Sequence, residues 1–184
     1  MNLADLTDVK NFLELTKTEY DDLLNKLLSS YSARIETFLN RSLAKTARTE
    51  TFNAGRKNFY LSAYPIDLTQ PFTVVWETQT VTKDSDYYVW TDSGVVEFFW
   101  TPNWIKPQGI KITYTGGYNN LTDLPQPIQL ATMMQVAFVF RRRKDIGLSS
   151  ISMPDGSVSV NAPTKLLPEV VDILREYRRK PSER

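Results

Sequence analysis

Tyr114-Thr115-Gly116-Gly117-Tyr118, a proline gate at Leu124-Pro125-Gln126-Pro127, an apolar run from Ile128 to Phe140, and then Arg141-Arg142-Arg143-Lys144 make up the stretch that decides the fold. Between Ile128 and Phe140 only Gln129, Thr132 and Gln135 are polar. They stand three apart and form one thin stripe on a helix that is otherwise Ile128, Leu130, Met133, Met134, Val136, Phe138, Val139, Phe140 and alanines. A helix apolar nearly all round is a buried helix. At about fourteen residues it is too short for a bilayer, which needs roughly twenty. It is expected to be the centre of a core, with Phe138 and Met134 fully buried against a face made by Leu24, Leu28 and Tyr31.

Working outward from that helix, the N-terminal side holds two more. Thr7 is placed to cap a short helix carrying Val9, Phe12 and Leu13. Thr16 with Glu19, or Thr18 with Asp21, matches a capping box. After it, Tyr20, Leu23, Leu24, Leu27, Leu28, Tyr31, Ile35, Phe38 and Leu39 recur at three- and four-residue steps. That stripe is wide and lasts less than three heptads, so packing in a core is the preferred reading over a coiled-coil seam.

From about Arg48 the period changes. Short β-branched or aromatic runs appear at Phe59 and Leu61, Phe72 to Trp76, Tyr87 to Trp90, Val95 to Phe99, and Ile110 to Tyr114. Turn-forming residues separate them, with Ser93-Gly94 the signal of a tight hairpin. The pattern predicts an antiparallel sheet of five or six strands inserted over residues 48–116. All four tryptophans (Trp76, Trp90, Trp100, Trp104) fall in this insertion. They could form a stacking platform for a sugar or a base. The preferred reading is that a small sheet fills its core and covers its edges with aromatics. Lys83, Lys106 and Lys111 are scattered, so nothing interleaves charge with those rings.

Residues 145–165 show no helical pattern. Loops of that length inside a domain are usually functional or disordered. Ile151 and Met153, then Val158 and Val160, alternate with serines around Pro154, Asp155 and Gly156, the pattern of a hairpin arm. A lone hairpin is marginal in water, so this arm is a candidate assembly element. The last helix opens on Pro168 and carries Val170, Ile173, Leu174 and Tyr177 on one face. Arg175, Arg178 and Arg179 come late in it, as the helix dipole prefers. The fold class expected is therefore α+β. It is a small bundle of about four helices, with an antiparallel β insertion between the second and third and a β-hairpin arm before the last. Residues 1–184 are read as a single domain.

The totals exclude much chemistry. The 184 residues contain no cysteine and no histidine. Disulfides, Cys/His zinc sites, thiol nucleophiles and every Ser-His or Cys-His catalytic pair are therefore absent. Net charge is +1, so no global field draws the chain to DNA or to a membrane. Gly116-Gly117 lacks the lysine and spacing of a phosphate loop. Asp84 with Asp86, and Asp155 with Gly156, are turn chemistry and not a calcium loop. No signal peptide is visible, so cytoplasmic synthesis is expected and the Asn40 and Asn120 sequons carry no meaning. The residues point to no catalytic site, no metal and no cofactor. The run Arg141, Arg142, Arg143 and Lys144 has three readings: cations at a helix C-terminus, contacts to carboxylates of a partner protein, or contacts to phosphates of passing DNA.

The chain resembles the head–tail connector (adaptor, or head-completion) proteins of tailed bacteriophages. The likeness runs through Leu6-Thr7-Asp8-Val9-Lys10, Phe12 and Leu13, then Asp21 to Leu24, Leu27, Leu28, Tyr31, Ile35, Glu36 and Phe38 to Arg41. It continues in Leu61, Tyr64-Pro65-Ile66, Ile112, Tyr114 to Tyr118, Leu124-Pro125, Ile128 and Ala131. Arg141 to Arg143, Leu167-Pro168, Val170, Ile173, Leu174 and Tyr177 complete it. Two departures are the aromatic-rich insertion and the long loop after the central helix.

The resemblance implies a non-enzymatic virion protein of the neck, forming a ring, commonly of twelve copies. Its partners would be itself, the portal protein, a tail or stopper protein, and passing double-stranded DNA bound without sequence specificity; no membrane is involved. Candidate contacts are Arg141, Arg142, Arg143, Lys144, Arg175, Tyr177, Arg178 and Arg179, with the C-terminal helix expected to face the portal. The candidate arm comprises Ile151, Met153, Asp155, Gly156, Val158 and Val160. A glycan- or nucleic-acid-binding module built on the β insertion is the alternative.

Overall fold

The computed structural model describes residues 1–103, 107–143, 150–153, 156–159 and 165–179. Helices α1 (Leu6–Leu13) and α2 (Asp21–Leu39) precede a run of antiparallel strands, and α3 (Gln126–Arg141) and α4 (Pro168–Arg175) follow it with a strand pair between them, so the α+β expectation holds. Packing divides the chain into two units: Met1–Phe38 with Leu124–Tyr177, and Leu39–Asp123 with the residues from Arg178.

In the helical unit α3 is the centre, as its composition requires. Its Val136, Ala137 and Phe140 pack with Val9 and Leu13 of α1 and Leu24 and Leu28 of α2. Tyr20 closes this core edge-on against Phe140, with ring centroids 5.2 Å apart. Of the thin polar stripe, Thr132 and Gln135 are buried and Gln129 is half-buried. Thr132 donates its hydroxyl to the Ile128 carbonyl at 2.8 Å, a bond within the helix. The Gln135 side-chain oxygen accepts the Leu167 N–H at 2.8 Å. Gln135 thus supplies the partner for a backbone donor just ahead of α4, which has no side-chain cap of its own. From there Val170 and Leu174 go fully inside.

Three local expectations are corrected. Met134 and Phe138 are only half-buried; the face of α3 carrying them is turned to an open groove, and Phe140 takes the role expected of Phe138. Tyr31 is also half-buried, while Leu24 and Leu28 are fully so. The cap of α1 is Asp5, whose carboxylate accepts the Thr7 N–H at 2.7 Å, so Thr7 is the capped residue.

The β unit has seven strands in two sheets, where the sequence pattern predicts one sheet of five or six. One sheet has the order β1 (Thr46–Phe52), β7 (Ile110–Gly116), β3 (Thr73–Trp76), β4 (Gln79–Val81). The other has the order β2 (Asn58–Tyr60), β6 (Val95–Phe98), β5 (Tyr87–Trp90). Strands β1 and β4 carry no apolar run, because both are edge strands and β1 lies largely in solvent. Phe59, Tyr87, Val89, Val96 and Phe98 from the smaller sheet share a core with Val74, Ile110, Ile112 and Tyr114 from the larger. The Ser93-Gly94 turn is present, with Gly94 at φ +66° and its N–H bonded to the Trp90 carbonyl at 2.9 Å.

The Tyr114–Tyr118 segment closes this unit. A Cβ on Gly116 would stand 2.5 Å from the Ala63 carbonyl oxygen. One on Gly117, at φ +109°, would stand 2.6 Å from that of Ala44. Gly117 and Tyr118 donate to Pro65 and Leu43 at 2.9 and 2.7 Å. Tyr114 is fully buried, its hydroxyl bonded to Glu50. That carboxylate also accepts the Ser62 hydroxyl and, at 3.0 Å, the Ser62 N–H. Burial first, and the Glu50 bond second, hold the Tyr114 phenol well above its ordinary range.

The exchange of roles between two α3 phenylalanines is measurable. Phe140→Ala opens the three-helix core and is expected to cost about 3–5 kcal/mol. Phe138→Ala, on the groove side, is expected to cost roughly 1–2 kcal/mol, less than full burial of its ring is worth. Urea midpoints of the two variants against the unaltered chain check this; equal losses would contradict the packing described.

Candidate partner-binding surfaces

The basic run at the end of α3 divides by environment. Arg143 is engaged within its own unit: its guanidinium donates to the Phe140 carbonyl at 2.7 Å and lies 4.0 Å over the Phe140 ring and 5.0 Å from that of Tyr20. Arg142 lies 5.3 Å over the Phe138 ring. Arg141 is exposed. The sequence pattern groups these cations; the structure separates a helix-terminating Arg143 from an outward Arg141. Lys144 lies outside the described residues.

Arg141 and Arg142 line the open groove together with Phe12, Met134, Ala137, Phe138 and Leu167, enclosing ≈ 350 Å³. Phe12 is 44% exposed. This is an apolar channel with cations at one end of its lining, and a small polar ligand finds little to bond there. It has the character of a docking surface.

On α4, Arg175 is exposed and paired with Asp172 at 3.0 Å. Exposed pairs of this kind contribute little to stability, so the cation remains available to a partner carboxylate. Arg178 is exposed, Tyr177 is half-buried, and Arg179 is half-buried with its N–H donated to the Leu39 carbonyl at 2.9 Å. Of the arm, β8 (Ser150–Met153) and β9 (Gly156–Ser159) pair antiparallel with Ile151 opposite Val158 and Met153 opposite Gly156. They join neither larger sheet. Asp155 and Val160 lie outside the described residues.

The sequence does not single out the outer face of the smaller sheet. Strand register sets Asn58, Glu97 and Tyr88 in one row and Tyr60, Val95 and Trp90 in the next. Tyr88 and Trp90 are 44% and 52% exposed, with ring centroids 5.1 Å apart. The Trp90 indole N–H donates to the Glu97 carboxylate at 3.0 Å. Strict alternation along Tyr87-Tyr88-Val89-Trp90 was the available signal: if Tyr87 and Val89 face the core, Tyr88 and Trp90 cannot. By contrast Trp76 and Trp100 pack edge-on at 5.0 Å beside the core, as the preferred reading of the tryptophans expects. Trp104 lies outside the described residues.

A second hollow of ≈ 350 Å³, beside Pro65, Gly117, Tyr118 and Asn119, contains the Lys45–Asp67 ion pair at 2.7 Å. Asp67 also accepts the Thr69 N–H and hydroxyl at 2.9 and 2.6 Å. Lys45 first, then Thr69, hold the Asp67 carboxyl down to about 2. These groups satisfy one another and form no ligand site. Among the described residues no cluster of three or more acidic side chains could hold a metal ion, and no helix is long and apolar enough to cross a membrane.

A family model described as "Head completion protein" matches residues 2–180. The chain belongs to that family. The resemblance read from the sequence is thereby borne out. None of the curated proteins matches the sequence. Among solved structures, the fold is similar to a chain in the neck of an empty gene transfer agent (GTA) particle computed with C6 symmetry. The TM-score is 0.62 at 16% identity, over 98% of this chain and 91% of that one. A chain in the virion of a native GTA particle gives 0.62 at 17%, with the same coverage. One in the neck of a native GTA particle computed with C12 symmetry gives 0.59 at 16%, over 96% and 89%. The likeness of fold thus extends over 98% of this chain.

The Asp67 network gives a pH dependence. Its carboxylate is favoured by folding, so the contribution is complete above the ordinary carboxylate value of 3.8 and lost as pH falls through about 2. Asp67→Asn should flatten the melting-temperature profile between pH 4 and 2 and lower the melting temperature at neutral pH. A profile parallel to that of the unaltered chain would contradict the assignment.

Proposed function

We propose that this head completion protein is a structural subunit of the neck of a phage or phage-like particle. In this reading it assembles as a ring of twelve copies between the portal and the tail or stopper, extends the channel for double-stranded DNA, and does no catalysis. The observation that carries the reading is the likeness of fold, over 98% of the chain, to a chain in a particle neck, in a family defined by head completion. The C6 and C12 symmetries of the neighbouring necks support a closed, many-copy assembly. The mechanism is assembly: burial of exposed apolar and aromatic surface, with charge guiding the encounter.

The helix α4 suits portal contact through its outward Arg175. Val170 and Leu174 hold it on its own unit, so it presents Arg175 without needing to fold on the partner, and the exposed Arg178 follows it in the chain. The hairpin arm, which belongs to neither larger sheet, suits a neighbouring copy or the next neck component. The nucleic-acid alternative is disfavoured at the exposed Tyr88–Trp90 pair, because the Glu97 carboxylate beside the rings repels phosphate.

Portal binding tests this reading. Purified chain should co-sediment with the portal ring of its particle, and the affinity should fall as salt rises. Arg175→Glu with Arg178→Glu should weaken binding by about tenfold or more while leaving the melting temperature within a few degrees. A chain that never binds portal at low salt would remove the proposal.

A further inference from the structure

Two surfaces keep aromatic side chains open to solvent, and their chemistry is opposite. One is the outer face of the β2-β6-β5 sheet: exposed Tyr88 and Trp90 beside the Glu97 carboxylate. The other is the α3 groove: exposed Phe12 and half-buried Phe138 beside Arg141. An exposed aromatic face with a carboxylate beside it is what a guanidinium prefers, since it stacks flat on the rings and presents a fork of donors to the oxygens. A carboxylate offers about four acceptor positions, so the Trp90 bond leaves Glu97 with capacity for an arginine.

We propose that these two surfaces are the halves of one contact between successive copies of this chain: Arg141 of one copy inserts at Glu97, Tyr88 and Trp90 of the next, and the apolar lining of the groove covers the rest of the aromatic face. The inference rests on the ring reading above and specifies how a ring would be closed. A patch meeting its own copy closes a dimer, whereas two different complementary patches on one chain propagate head to tail and close only as a ring. Charge complementarity selects the occupant. A nucleic acid would bring phosphates against Glu97, and an acidic peptide would be repelled there, while the chain itself carries a cation flanked by apolar surface. Both Trp and Arg are residue types that dominate binding energy at interface centres.

The absence of cysteine in this chain makes the test direct. Val95→Cys marks the sheet face and Met134→Cys marks the groove. Each single variant is purified, and the two are mixed with portal and treated with a short bis-maleimide. The expected result is a covalent pair in the mixture and none with either variant alone. In parallel, Arg141→Glu should slow or weaken assembly by about tenfold or more, and the swapped double variant Arg141→Glu with Glu97→Arg should recover most of it. Both positions reach solvent, and circular dichroism confirms that each variant is folded. Rings that form without the mixed cross-link, or a cross-link of Val95→Cys with itself, would overturn this contact and leave the ring reading intact. Failure of the unaltered chain to assemble at all would overturn both.

Discussion

Three backbone segments meet at Gly116 and Gly117 with no room between them for a side chain. A Cβ at either position would come within 2.6 Å of a carbonyl oxygen of Ala63 or Ala44, closer than side-chain carbons approach such atoms. Around this point the Leu43–Lys45 and Pro65–Asp67 segments bond to the strand end. One residue pair further back, Glu50, Ser62 and Tyr114 bond to one another. Buried polar networks of this kind stabilise only when every member is partnered. Here the carboxylate, the hydroxyls and the Ala63 N–H, bonded to the Tyr114 oxygen at 3.0 Å, all are. This closure ties β1 and the end of β7 to the segments around Leu43–Lys45 and Ser62–Asp67.

Much of the fold is legible in the sequence. The helices follow from three- and four-residue periodicity, and the β insertion from the change of period near Arg48. What the pattern misses has physical reasons. Edge strands β1 and β4 lack the apolar alternation that marks a strand because one of their faces needs no core. The half-burial of Phe138 and Met134 could not be read from composition, since a helix apolar all round gives no sign of which face stays open. The two buried polar residues of α3 were visible as a stripe. That the stripe would be buried, with Gln135 holding the approach to α4, depends on a backbone donor thirty-two residues away in sequence.

The candidate surfaces were legible only in part. The cations at Arg141 to Arg143 stand out in any reading, yet Arg143 is spent on its own helix end and on two aromatic rings. The aromatic face carrying Tyr88 and Trp90 was hidden in a strand where every residue is apolar or aromatic. Exposed Arg141 and Arg175 suit encounter with an acidic partner, and the α3 groove and the Tyr88–Trp90 face suit burial. A subunit held by partners on several sides, as proposed above, uses both.

Electron microscopy of the chain bound to its portal tests that conclusion most directly. The account predicts a closed ring of this protein coaxial with the portal, many copies per portal, with an open channel through the centre. Single copies scattered on the portal, or a compact plug with no central opening, would contradict it.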